Sequence, residues 1–188
     1  MHRCEWAGSQ VIYQKYHDEE WGVPVWDDNQ LFAKLILDGF QAGLSWITIL
    51  KKRDRFYEVF NGFDPEKIVE YDETKFNALM NDTGIIRNRL KIRATITNAQ
   101  AFLAHKNFGH SFSDYLWSFV DGKPKVNQWK AINEVPAKTK ESDAMSDSLK
   151  KLGFKFTGST ICYAFMQAVG MVNDHVVGCY RHQECQKL

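Results

Sequence analysis

Asp72-Glu73-Thr74-Lys75-Phe76-Asn77-Ala78-Leu79-Met80-Asn81-Asp82-Thr83-Gly84-Ile85-Ile86-Arg87-Asn88-Arg89-Leu90-Lys91-Ile92-Arg93 is the stretch on which the fold turns. A helix begins at Asp72 and carries Phe76, Leu79 and Met80, and Asp82-Thr83-Gly84 ends it. A long helix then runs from about Asn88 towards Phe108, with Leu90, Ile92, Ile96, Ala99 and Phe102 apolar and Gly109 closing it. Helix, tight turn, helix is the reading, and the same period recurs outward in both directions. Asp28 can cap a helix bearing Leu31, Phe32, Leu35 and Ile36 that stops near Gly39. A second follows Gly43, with Leu44, Ile47 and Leu50 inward and Lys51-Lys52-Arg53 at its middle. Asp64-Pro65-Glu66 opens a short helix with a cap, a first-turn proline and a first-turn acid. Ser113 can cap Tyr115–Val120, Ser142 a helix through Leu149 and Leu152, and the last apolar helix covers roughly Ser159–Val169. Asp121–Thr139, with Gly122, Pro124 and Pro136, reads as loop. No stretch sustains two-residue alternation, so the fold class is all-α.

A chain of 188 residues, 44% hydrophobic and 25% charged, fits one soluble domain, 1–188. Aromatic content is high at 14%, and three of the six tryptophans (Trp6, Trp21, Trp26) crowd the beginning of the chain. A formal charge of +1 gives no global nucleic-acid signature, so any DNA contact must use a local patch. The first residues lack the apolar run of a secretory signal, and the apolar stretch near Thr160–Val172 is too short to span a bilayer. The expectation is a cytoplasmic protein without membrane contact. Four cysteines in such a sequence favour metal or free thiol over a disulfide framework.

Three constellations could carry chemistry. The turn Thr83–Arg87 puts one glycine and two isoleucines ahead of a basic run, Arg87, Arg89, Lys91 and Arg93. Unpaired N–H groups at a helix N-terminus suit a phosphate. The segment resembles a helix-hairpin-helix DNA-backbone motif, with Ile86 where that motif usually has its second glycine; a plain αα-hairpin with a solvated basic face is the other reading. In Asp38-Gly39-Phe40-Gln41-Ala42-Gly43-Leu44-Ser45-Trp46 an acid at a helix end precedes a glycine-flexed loop and a tryptophan, and Tyr13, Tyr16 and His17 lie upstream. Flat rings and one carboxylate are the materials for holding a purine, although a Trp-rich core would use the same residues. Cys4 with His17, and His175 with Cys179, offer the four soft ligands of a closed tetrahedral zinc site, which would staple one end of the chain to the other. Their spacing of four would let a single helical turn aim His175 and Cys179 at one point. Buried cysteines and singly satisfied histidines are the alternative. Cys162 belongs to an apolar run, and His182 with Cys185 forms a second Cys/His pair in a polar tail expected to fray.

Cys4-x-Trp6, Tyr16-His17-Asp18-x-x-Trp21-Gly22-x-Pro24, Gln41-Ala42-Gly43-Leu44-Ser45-Trp46, Leu50-Lys51-Lys52-Arg53, Gly153-Phe154-Lys155-Phe156 and Asn173-Asp174-His175 occur in this order. Together they resemble the bacterial DNA-3-methyladenine glycosylase I family over essentially the whole chain. The resemblance implies a helix-hairpin-helix glycosylase fold in two lobes. Residues 28–110 would form the central helical lobe, with the hairpin at 72–108, and residues 1–27 and 111–188 an aromatic, zinc-binding lobe. It implies one structural zinc ion on Cys4, His17, His175 and Cys179. It places a flipped base among Tyr13, Tyr16 and Trp46, supported by Trp6 and Trp21, with Asp38 as the catalytic carboxylate. Gly43 and Leu44 would fill the gap left in the duplex, and Gly84, Ile86 and Arg87 would grip the phosphate backbone.

The implied activity is hydrolytic removal of 3-methyladenine from alkylated double-stranded DNA, leaving an abasic site without strand cleavage, by a monomer that works on the nucleoid. Methylation at N3 makes the base cationic and a good leaving group, so a strong general acid is not needed. The catalytic Asp that most helix-hairpin-helix glycosylases carry after the hairpin is not expected, and neither Asp114 nor Asp121 is assigned that role. One departure stands out. The family usually has glutamate at position 38, and Asp38 is shorter in reach by roughly 1.5 Å. The rival reading is a non-catalytic, zinc-stabilised module that binds DNA or a modified base.

Overall fold

The structure, a computed structural model, describes residues 2–188. A helix over Asp28–Gln41 (α2) stands at the centre, its Leu31, Phe32, Leu35, Ile36 and Phe40 buried. It is preceded by α1 (Val11–Glu19) and followed by α3 (Trp46–Leu50), α4 (Arg53–Val59) and α5 (Pro65–Ile68). The hairpin is α6 (Glu73–Asn81) and α7 (Arg89–Asn107). α8 (Phe112–Trp117), α9 (Lys140–Lys151), α10 (Ser159–Ala168) and α11 (Tyr180–Glu184) complete the helices. α2 packs on α3, α7, α8 and α10, so the hairpin side and the C-terminal side share one core. A run of rings, Phe32–Phe102–Phe112–Phe154, crosses it with centroids 5.0 to 5.6 Å apart.

The all-α expectation holds but for one parallel two-residue pair, β1 (Lys125–Val126) beside β2 (Val172–Asn173). Too short for any period, it pins the Asp121–Thr139 loop to the C-terminal segment. Asp64 caps its helix as read, and Asp72 and Asn88, where helices were expected to begin, cap theirs, each carboxylate or amide oxygen accepting a backbone N–H.

Several caps lie elsewhere. Asp27, rather than Asp28, caps α2 through the Gln30 N–H at 2.8 Å. Asp28 instead accepts from the Ser113 N–H, fastening the start of α8, whose cap is Ser111. Thr139 caps α9, and Ser142 is its reciprocal partner three residues on. In each case two candidate side chains stood within three residues; the tertiary bond from Ser113 to Asp28 decided for α2 and α8, and the local capping box for α9.

Other boundaries also shift. α2 does not stop near Gly39 but runs on to Gln41, because Gly39 is the site where Phe156 packs against the helix, 3.4 Å from where a Cβ would stand. The helix read after Gly43 is two, α3 and α4, broken at Lys51-Lys52, and Leu44 points out at 40% exposure. The C-terminal tail is docked, not frayed: His182 Nε2 donates to the Asn127 carbonyl oxygen at 2.8 Å, and the Cys185 side chain is buried.

The two ends of the chain meet. The Tyr180 N–H donates to the His2 carbonyl, the Gly22 N–H to Gln167 and the Val25 N–H to Val169. Gly170 (φ +72°) makes the last approach possible, since a Cβ there would stand 2.5 Å from the Val23–Pro24 peptide.

Candidate functional site

Cys4, His17, His175 and Cys179 are all buried, and their ligand atoms all lie within 4.8 Å of one another. The Cys4 and Cys179 sulfurs stand 3.6 and 3.7 Å from His175 Nδ1, and the Cys179 sulfur 3.5 Å from His17 Nε2. Metal–sulfur and metal–nitrogen bonds of 2.3 and ~2.05 Å at tetrahedral angles require an S···N separation of ~3.6 Å, so the donor set fits a four-coordinate metal. Each imidazole turns its other nitrogen to an oxygen. His17 Nδ1 is 2.8 Å from Asp18 Oδ1, and His175 Nε2 is 2.9 Å from the Trp21 carbonyl. Those contacts leave the lone pairs of Nε2 and Nδ1, respectively, aimed at the cluster. Arg3 grips Asp18 through Nε and Nη2. The Cys4 thiol, followed by His17 and His175, holds Cys179 on the thiolate side against the cost of burial.

His175 and Cys179 do not share a helical turn, as their spacing suggested. They flank a tight turn closed by the Cys179 N–H on the Val176 carbonyl, and Cys179 precedes α11. His182 and Cys185 stand outside the cluster. Next to His175, Asp174 is a buried hub that the sequence reading left unassigned. Its carboxylate accepts from Asn127, Trp129, Tyr163 and Gln167. Neither carboxylate nor loop marks this in sequence, because the four donors come from two other segments, the loop and α10.

Beside the cluster lies a cavity of about 190 Å³ lined by Trp6, Tyr13, Tyr16, Trp21, Asp38 and Trp46, all six side chains singled out as base-binding or catalytic. The rings pack against one another, Trp6 edge-on to Trp21 at 4.9 Å and Tyr16 tilted against Trp46 at 5.3 Å, yet leave this space open. Tyr13, Tyr16 and His17 face two directions from α1, a helix whose pattern was obscured because its aromatic face meets a cavity rather than a core. The far wall, Ala164, Gln167 and Ala168 of α10 with Ile132 and Val135 of the loop, was not foreseen.

Asp38 is 1% exposed, in the last turns of α2. Its Oδ2 is buried without a hydrogen-bond partner, as is the indole Nε1 of Trp46. An unmet acceptor and an unmet donor in one cavity are unusual in a folded protein and suit a polar ligand. Burial pushes the Asp38 carboxyl up to about 6, only partly opposed by the Lys34 ammonium, 3.5 Å from Oδ1. Lys34 was overlooked in the sequence. Its ammonium also donates to Tyr16 Oη at 3.1 Å and sits 3.5 Å from the centre of the Trp46 ring. It lines a second cavity, of about 250 Å³, that Tyr16 and Trp46 separate from the first.

Two features surround the cavity and hairpin. Gly43, at φ +79°, turns the loop after α2 so that Leu44 projects from the surface. In the hairpin turn Ile85 is buried and Ile86 half-buried, anchoring it as expected. The Gly84 N–H is already committed to Asp82 Oδ1 at 2.7 Å, and Asp82 pairs with Arg55. Among the described residues the backbone N–H groups of Ile86 and Arg87 have no partner, so these two, rather than Gly84, are free to meet a phosphate.

Residues 6–182 match the model of the family described as methyladenine glycosylase. The chain is 52% identical to DNA-3-methyladenine glycosylase 1 of Escherichia coli (strain K12) over 179 residues, 95% of this chain and 96% of that protein. It is 51% identical to a Haemophilus influenzae DNA-3-methyladenine glycosylase over 177 residues, 94% of this chain and 96% of that one. Among solved structures it is similar to a crystal structure of a 3-methyladenine DNA glycosylase I (TM-score 0.94, 51% identity, covering 95% of this chain and 98% of that one). It is also similar to the Staphylococcus aureus 3-methyladenine DNA glycosylase I solved for its recognition of 3-methyladenine (TM-score 0.91, 36% identity, covering 96% of each).

Proposed function

The chain belongs to the methyladenine glycosylase family, and from that premise we propose that it rotates a 3-methyladenine nucleotide out of alkylated DNA into the cavity walled by Tyr16 and Trp46. It is a hydrolase of N-glycosyl bonds that acts in base-excision repair, not the non-catalytic module. The observation that carries the finer reading is the unpartnered Asp38 Oδ2 inside an aromatic cavity. There it can accept from the exocyclic amine of an extruded adenine while the Trp46 ring stacks on its face and Tyr16 meets its edge. Stacking worth roughly 1–3 kcal/mol per base offsets much of the unstacking cost.

The substrate brings its own driving force, since methylation at N3 makes the base cationic and it departs neutral. The protein excludes water from the base, selects its shape, and keeps a carboxylate against the positive charge as it moves to the sugar. A water molecule then attacks the sugar carbon, releasing 3-methyladenine and an abasic site. Among the described residues the one amine close to the pocket, Lys34, lies behind Tyr16 and Trp46 and is bonded to Tyr16 and Asp38, which supports a reaction without a Schiff base or strand cleavage. Leu44, carried on the Gly43 turn, takes the place of the extruded base, and Ile86 and Arg87 bind phosphate. Cys4, His17, His175 and Cys179 hold a structural zinc ion, whose four protein ligands leave no position for water, so its chemistry is that of a cross-link. The protein acts as a monomer on duplex DNA in the cytoplasm; no helix among the described residues is long and apolar enough to cross a membrane.

Incubation with methylated duplex DNA, followed by chromatography of released bases and a denaturing gel, tests the proposal. Free 3-methyladenine with intact strands is expected. Tight binding with no free base, or strand breaks before alkali, would overturn it.

A further inference from the structure

Lys34 lies in none of the motifs, yet one ammonium reaches three pocket residues: Asp38 Oδ1 at 3.5 Å, Tyr16 Oη at 3.1 Å and the Trp46 ring at 3.5 Å. It does so from the second cavity, behind the partition, where it cannot touch a base held in the first. An ammonium has only protons to give, so Tyr16 Oη must accept from it. The phenol's own proton is then free to point away, as a donor. Asp38 is divided in the same way: Oδ1 faces Lys34, and Oδ2 has no partner. The other charges facing Lys34 are Glu20 beyond α1 and Arg53 of α4, and they bind each other in a two-point pair. Asp38 therefore remains the ammonium's own counter-ion.

We propose that Lys34 is a positioning residue that sets base selectivity: it fixes Tyr16 as a donor and Asp38 as an acceptor, so the pocket favours an alkylated purine presenting a ring nitrogen beside an amine. This rests on the base-excision reading above. Adenine offers that order along one edge, N7 accepting and the N6 amine donating, whereas guanine offers N7 and O6, two acceptors. A carbonyl oxygen placed against Asp38 Oδ2 would bury two acceptors with no proton between them. The carboxyl is held at about 6 with Lys34 present, and loss of the cation would let it take up a proton at neutral pH. A protonated Asp38 can donate to O6, and the discrimination disappears.

The experiment uses duplex DNA carrying both 3-methyladenine and 3-methylguanine, with both free bases quantified from about pH 5 to pH 8. The native protein should release 3-methyladenine preferentially, with the preference falling as pH drops through about 6. Lys34→Met, unbranched and uncharged, should lose the preference by about tenfold or more at neutral pH and move its pH transition upward; Lys34→Arg should keep both. A folded Lys34→Met protein with the native ratio and the native pH transition would overturn the proposal. Should Lys34→Met not fold, the native series decides alone, and a ratio that does not change with pH overturns it. Release of neither base by the native protein would instead overturn the base-excision reading, a separate result.

Discussion

The Lys91 ammonium donates to the main-chain carbonyls of Phe40 and Ala42, at 2.8 and 2.6 Å, so the second helix of the hairpin closes the end of the helix that carries Asp38. The last carbonyls of α2 have no partner within the helix, and a cation there answers both their lone pairs and the negative end of the helix dipole. Through this one side chain the hairpin, the pocket acid and the Gly43-Leu44 loop are held in one frame.

Lys91→Met should therefore destabilise the protein by about 3 kcal/mol, the scale of two charge-assisted bonds lost from buried carbonyls. It should also weaken action on duplex DNA more than binding of free 3-methyladenine, because the pocket survives while its alignment with the hairpin loosens. Urea unfolding and the ratio of the two activities check this; unchanged stability would remove Lys91 from the frame.

Asp38→Ala strands the Lys34 ammonium in a buried position. A loss of about 3 kcal/mol is expected from breaking such a pair. Adding Lys34→Met should restore at least half of it, since the uncompensated charge goes too. Chemical denaturation of both single variants and the double variant measures the coupling, and strictly additive effects would mean that the two residues do not interact.

The raised Asp38 carboxyl has opposite consequences for stability and for binding. Between the ordinary value of 3.8 and about 6 the folded protein keeps a proton that the unfolded chain has released. Stability therefore falls as pH rises across that window, by about 3 kcal/mol for a difference of about two pH units, and is level above it. Binding of 3-methyladenine should rise as pH passes upward through about 6, because the ionised carboxylate accepts from the amine more strongly than the protonated group does. Asp38→Asn should abolish both trends. Unfolding and fluorescence titrations at a series of pH values test them, and parallel curves for native protein and variant would count against the assignment.

Elemental analysis should find one zinc ion per chain. Removing it with a chelator, or substituting His175→Ala with Cys179→Ala, should lower the thermal midpoint sharply, since structural zinc is worth roughly 10–16 kcal/mol in peptides at neutral pH. A chain without bound metal whose melting ignores the chelator would leave the cluster as four buried side chains.

Much of the architecture was legible because local chemistry and global packing agree. Asp64, Asp72 and Asn88 are caps with no nearby competitor, and the helices they open lie where expected. Where neighbours competed, as Asp27 with Asp28 or Ser111 with Ser113, only the packing of α8 against α2 could choose. Tyr13, Tyr16, Asp38 and Trp46 were readable as rings beside an acid, and Trp6 and Trp21 joined them through the family resemblance. Lys34 was not, because a lysine four residues before an aspartate on a helix ordinarily describes a solvated face. Nothing in the spacing says that this face is covered by α1 and α3. The fate of the Gly84 N–H was hidden for a similar reason, since Asp82 looked like part of a helix stop rather than a competitor for the hairpin's amides.

The tie between the chain's two ends has a consequence for biosynthesis. Trp6, Tyr13, Tyr16 and Trp21 are translated first, but the wall they face comes from Ala164–Ala168 and the last two cluster ligands are His175 and Cys179. A nascent chain on the ribosome thus lacks a finished binding chamber until Cys179 has been added, so a product truncated before Ala164 would carry the hairpin without the means to excise anything.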